Sequence, residues 1–238
     1  MKSGVYVKEA YTLGSGCDSL KAQDVILAIN GVAIDGRGQI QHERYGQIGF
    51  LHLITSLTAG QPVSFTVWRE GQQVQVEAES KAIPAEAMLV PYYEYDRQPE
   101  YIVVGGYILQ RLTREYMKAW GEGWSGKVSA HLYHYYQDLA FLPTEQRREV
   151  IVLSYVLPAD INQGYKDLRQ IVVSKFDGKE VSRLQDIAEA LQGGAMLRFH
   201  TIEFELNNPL VVIPADQLSE ADSLISRRYG VDPLMHVE

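Results

Sequence analysis

Three stretches of the chain hold residue types whose spacing could do chemistry. Residues 121–127, GEGWSGK, match the G-x-G-x-x-G spacing of a dinucleotide loop and nearly match the phosphate-cradling G-x-x-x-x-G-K-[ST]. Val128 stands where the magnesium-reaching hydroxyl belongs, and the preceding REYMKAW reads as helix where both motifs need a strand. The same residues miss a G-x-S-x-G nucleophile elbow at Lys127, so the stretch reads as a turn between helices. His131, His134 and Asp138 follow at i, i+3 and i+7 and could offer metal ligands from one helix face. With no fourth donor and with Tyr133, Tyr135 and Tyr136 among them, they read as the polar side of an amphipathic helix, and no metal is assigned. The third stretch is YIVVGGYIL at 101–109, a β-branched and aromatic run interrupted by Gly105-Gly106. Glycine weakens a strand interior, so an adjacent pair there needs either a bulge or something that approaches the backbone closely.

The elements that must position these residues repeat. Residues 4–34 run strand, polar loop, and the strand DVILAI ended by Asn30-Gly31. Residues 150–181 run in the same order and end at Asp177-Gly178. Asn-Gly and Asp-Gly between apolar runs are tight-turn signals, because both positions must tolerate positive φ. A helix follows in each copy: Phe50-Leu53-Ile54-Leu57 in the first and Leu184-Ile187-Ala188-Leu191 in the second. Gly60 and Gly193-Gly194 come after these helices as expected left-handed caps. Paired strands close both copies, Val63–Val67 with Val74–Val76 around Arg69-Glu70-Gly71-Gln72, and MLRFHTIEFEL with PLVVIP around Asn207-Asn208.

The composition bounds the function. The 238 residues are 46% hydrophobic and 22% charged, with a formal net charge of −8, as for a globular protein. No basic stripe exists to neutralise a phosphate backbone, so nucleic acid is not an expected partner. No apolar run is long enough to span a membrane, and the single Cys17 excludes an internal disulfide.

GVYVKEA, a loop, SLKAQDVILAINGVAI, a helix and VSFTVWREGQQVQVEAE resemble a PDZ domain of the Deg/HtrA serine proteases, with Gln23 where that family usually has glycine. VPYYEYDRQPEYIVVGG followed by INQGY resembles the second PDZ domain of the subgroup known from plant organelle Deg proteases and bacterial relatives. The resemblance implies a mainly β fold with packing helices (α+β), as two PDZ-like, partly open β-barrel or sandwich domains. The expected division is 1–80 for a first domain lacking its N-terminal carboxylate-loop strand, 81–90 for a linker, and 91–238 for a second domain with a helical insertion at 113–149. The truncated first domain would have an open sheet edge.

PDZ domains take extended peptides by β-augmentation, so the resemblance implies a peptide site in the second domain. Val104, Gly105, Gly106 and Tyr107 match the loop that reads a terminal carboxylate. Ile108 to Arg111 match the strand that pairs with the peptide, and Leu184, Ile187, Ala188 and Leu191 match the apolar helical wall. The expected occupants are peptide C-termini, extended segments of unfolded proteins, or a segment of the protein or a neighbouring subunit. A Deg-type protease also needs serine in a G-N-S-G-G context with upstream histidine and aspartate, and no such set is legible. The expectation is a non-enzymatic chain without cofactor, the PDZ pair of a serine endopeptidase whose catalytic domain lies elsewhere. A free-standing PDZ scaffold is the alternative. The sequence assigns no compartment, and a bacterial member would be expected in the periplasm or cell envelope.

Overall fold

The computed structural model describes residues 3–193 and 197–237; Met1, Lys2, Gly194 and Met196 of the stretches discussed above lie outside them. The chain divides into two compact units, 1–84 and 85–238. Both are α+β and mainly β, and their sheets are open, not closed into a barrel.

In the first unit, β1 (Val5–Tyr6), β2 (Val25–Ile29), β6 (Pro62–Arg69) and β7 (Gln72–Glu79) form one antiparallel sheet in that order. β3 (Val32–Ala33) returns along β2 through Asn30-Gly31, whose φ values of 48° and 77° are the left-handed pair a two-residue hairpin needs. A separate hairpin, β4 (Gln39–His42) with β5 (Gly46–Gly49), leads into α1 (His52–Thr55), a single turn with no buried residue. Alternation along β6 sends Val63, Phe65 and Val67 inward, where they meet Ile26, Ile29, Ile34 and Ile40. Asp24 is buried beside them because Arg69 meets it with two charge-assisted hydrogen bonds of 2.8 and 2.7 Å. Gln23 adopts φ 75°, a left-handed conformation that glycine would reach without strain.

The second unit repeats that frame and extends it. β8 (Tyr101–Val104) and β9 (Tyr107–Arg111) form a hairpin, followed by α2 (Arg114–Lys118) and α3 (Ala130–Gln137). The remaining elements are β10 (Ile151–Val156), β11 (Ile171–Phe176), β12 (Lys179–Glu180), α4 (Leu184–Gln192), β13 (Phe199–Phe204), β14 (Val211–Pro214), α5 (Ala215–Tyr229) and β15 (Met235–His236). The sheet order is β14-β13-β11-β10-β9-β8-β15, every neighbouring pair antiparallel. Asp177-Gly178, at φ 50° and 74°, turns β11 into β12 as Asn30-Gly31 turns β2 into β3.

Several boundaries differ from the sequence reading. Met88, Leu89 and Val90 fall in the expected linker but are buried, and Leu89 N–H donates to the Ala140 carbonyl at 2.9 Å. An apolar run this close to a boundary is drawn into the nearer core because exposing it is costly. Gly193 ends α4 at φ −65° and so is not a left-handed cap, whereas Gly230 caps α5 at φ 66°. The insertion carries α2 and α3, each started by a hydroxyl cap: Thr113 accepts from Tyr116 N–H at 3.0 Å and Ser129 from Leu132 N–H at 3.3 Å. Tyr135 donates to Glu205 at 2.8 Å, and His131 and Arg147 pair with the same carboxylate, which fastens α3 beside the end of β13. Burial and that hydrogen bond push the Tyr135 phenol up to about 12.

Candidate functional site: the glycine turn and its groove

The glycine pair is a hairpin turn. Gly105 and Gly106 have φ of 54° and 85°, nearly the values of Asn30-Gly31, and they join Val104 to its cross-strand partner Tyr107. Asn or Asp would satisfy the backbone angles, so the need for two glycines comes from what surrounds the turn. A Cβ on Gly106 would lie 2.5 Å from both the Asn162 side-chain nitrogen and the Leu157 carbonyl oxygen, and one on Gly105 would lie 3.3 Å from Ile213. The close approach is therefore made by the protein itself.

The polar groups of the turn are met from three directions. Gly105 N–H donates to Asp222 Oδ1 of α5 at 2.7 Å. Asn162, 1% exposed, donates from Nδ2 to the carbonyls of Gly105 and Leu157, both at 2.8 Å, and accepts from Ala159 N–H at 3.0 Å. Leu157 N–H donates to the Gly106 carbonyl at 2.8 Å. Leu218, Asp222 and Ile225, at i, i+4 and i+7 of α5, turn one helix face onto the glycines. Burial raises the Asp222 carboxyl to about 6, against the lowering effect of Gly105 N–H.

Of the residues expected to form the groove, Val104, Tyr107, Leu184, Ile187 and Ala188 do converge in one buried cluster, and Leu191 packs on its edge. Ile108 is outside that cluster and half-buried. The strand Ile108–Arg111 is paired on both sides, with β8 along one edge and β10 along the other. β8 in turn holds β15 on its outer edge, where Val103 N–H donates to the Leu234 carbonyl at 2.7 Å and Met235 and Val237 pack on the same cluster. Asp222 and Asn162 were not legible as site residues. Asn162 had one signal, its place in the INQGY segment that accompanies the glycine pair; Asp222 had none, being one carboxylate in a polar helical run.

The other candidate chemistry is occupied elsewhere. His131 pairs with Glu205 at 2.9 Å and His134 with Asp138 at 2.8 Å, and among the described residues no cluster could hold a metal ion. GEGWSGK is a 3-10 turn at Trp124–Gly126 between α2 and α3, with Gly121 and Gly123 at φ 79° and 71°. Among the described residues no helix is long and apolar enough to cross a membrane.

Residues 90–235 match the family model of the PDZ domain. The chain is similar to protease Do-like 4, mitochondrial, of Arabidopsis thaliana, with 25% identity covering 96% of this chain and 40% of that protein. It is equally similar to protease Do-like 2, chloroplastic, of the same plant, with 25% identity covering 96% of this chain and 36% of that protein. The chain thus spans well under half the length of the curated relatives it matches.

Proposed function

We propose the following on the ground that the chain belongs to the PDZ domain family: it is the PDZ region of a Deg/Do-like serine endopeptidase, and the ligand place of its second unit is held by its own strand β8. In a PDZ domain an extended peptide pairs with the strand after a glycine-containing loop and lays its last side chain against a helix. β8 is antiparallel to β9, and Val104 at its end belongs to the same buried cluster as Leu184, Ile187 and Ala188. A free peptide would end in a carboxylate at this point. The chain instead continues through Gly105-Gly106, and Asp222 supplies a carboxylate to the Gly105 N–H.

The pairing of β8 along β9 is the single observation that carries this reading. A groove whose strand is saturated on both edges offers an outside peptide no backbone donors or acceptors until β8 leaves. On this reading the second unit serves assembly or regulation of the protease, and catalytic residues lie outside this chain.

The test is a nuclear magnetic resonance titration of the 238-residue chain with acetyl-Tyr-Ile-Val-Val bearing a free carboxylate, and with its amide. Signals of Leu184, Ile187 and Ala188 are expected to stay in place at millimolar peptide. A saturable shift at those three residues that requires the free carboxylate would show that the groove is open and the reading is wrong.

A further inference from the structure

Residues 215–237, which comprise α5, β15 and the turn between them, hold β8 from the sides that β9 leaves open. β15 pairs with its outer edge, Met235 opposite Ile102 and His236 opposite Tyr101. Val103 N–H donates to the Leu234 carbonyl at 2.7 Å, and the Tyr101 hydroxyl donates to the Pro233 carbonyl at 2.8 Å. Where β8 ends, Asp222 of α5 accepts from Gly105 N–H at 2.7 Å, and Leu218 and Ile225 reach the two glycines. One further tie runs from the Tyr229 hydroxyl to the Pro158 carbonyl at 2.7 Å.

These ties are specific, but the segment that makes them is shallow. Of the 15 residues of α5 only Ile225 is fully buried, and β15 fully buries neither of its two. α4, with nine residues, fully buries three. β8 is the reverse of α5, with Ile102, Val103 and Val104 all buried. Elements that bury little apolar surface open at lower free-energy cost than the core, and they open as contiguous cooperative units. When residues 215–237 open, Val103 and Gly105 N–H lose their partners, and Leu218, Met235 and Val237 leave the cluster that contains Ile102 and Val104. β8 is then a four-residue edge strand held by β9 alone.

We propose that α5 and β15 form a strap that locks β8 into the groove, with Asp222 as its catch, so that strap and β8 open as one unit and access to the groove is regulated through residues 215–237. The inference rests on the reading of β8 as the occupant of the groove. An outside strand can pair with β9 on that edge only after β8 has left, and the departure of β8 breaks the ties at both its outer edge and its glycine turn. Release of the strap and filling of the groove by another strand therefore share one equilibrium: whatever loosens the strap favours the open groove, and an occupied groove favours a released strap.

The experiment is native-state amide hydrogen exchange on the full chain, read residue by residue. Val103 N–H points to the strap, so by alternation its neighbours Ile102 and Val104 point theirs to β9, and exchange at those two reports departure of β8 itself. Ile102, Val104 and the amides of α5 should exchange at a common rate, faster than the protected amides of β10 and β11. Asp222→Ala should speed that common rate about tenfold and leave β10 and β11 unchanged. Tyr229→Phe, which removes one hydroxyl and keeps the ring, should speed it about threefold and covers the case in which the first variant folds poorly. Strap amides that accelerate while Ile102 and Val104 keep their rate would overturn the proposal, as would indifference of Ile102 and Val104 to both substitutions. Failure of the underlying groove reading registers separately, as saturable binding of acetyl-Tyr-Ile-Val-Val to the unsubstituted chain.

Discussion

The two units share one frame and differ at one edge. β1 and β2 of the first correspond to β10 and β11 of the second, and both β2 and β11 run into a tight turn built from an Asn-Gly or Asp-Gly pair. Among the described residues the first unit's sheet runs β1-β2-β6-β7, whereas in the second β9, β8 and β15 lie outside β10. The helices differ in depth: α1 packs Leu53 and Ile54 against the first core without fully burying either, while α4 fully buries Leu184, Ile187 and Ala188.

The largest expected difference between the units is in their glycine turns. Gly106→Val should destabilise the second unit by about 3 kcal/mol or more, because a strained φ adds to a clash with Asn162 and the Leu157 carbonyl. Gly71→Val in the first unit, also at positive φ but with nothing within 4 Å, should cost only about 1–2 kcal/mol. Urea unfolding of both variants measures this; equal losses would mean the second turn is no more enclosed than the first.

The next difference is in pH dependence, where the units should respond in opposite directions. Asp222 has a folded value of about 6, above its unfolded value, so the folded state favours its neutral form. Its contribution is greatest in acid and is lost as pH rises from about 4 to 6, a change of roughly 2 kcal/mol after allowance for partial exposure. Glu94 and Glu149 are raised as well and act with the same sign. In the first unit the Arg69 hydrogen bonds hold Asp24 below the usual carboxylate range, so its contribution is present above about pH 4 and is lost on further acidification. Trp68 fluorescence reports the first unit and Trp120 and Trp124 the second, so unfolding midpoints followed through these residues from pH 3 to 7 separate the two. Parallel slopes, or an unchanged slope for the second unit in Asp222→Asn, would break the contrast.

The smallest expected effect is a gain. Gln23 holds a left-handed φ of 75° without glycine's freedom, so Gln23→Gly should stabilise the first unit by about 0.5–1 kcal/mol. Thermal unfolding resolves a change of this size, and a loss of stability would mean that contacts of the Gln23 side chain outweigh its backbone strain.

Local signals carried much of the architecture before any coordinates. Alternation, tight-turn dipeptides and repeat spacing depend on a few neighbouring residues, and they placed the frame of both units, the 184–192 helix and the paired strands around 207–208. They also marked Gly105-Gly106 as a site of close approach, while a groove formed by Val104 with Leu184, Ile187 and Ala188 was implied by the family resemblance. What approaches those glycines depended on pairs far apart in the chain: Asp222 is 117 residues from Gly105, and Asn162 is 57. The same holds for β15 on β8 and for Arg111 held between Glu94 and Glu149. A strand's composition is the same whether its partner is an outside peptide or its own chain, because both satisfy the same backbone groups. Only the tertiary fold decides which segment reaches the edge first, and here a covalently attached strand does so without the entropy loss of binding a separate molecule.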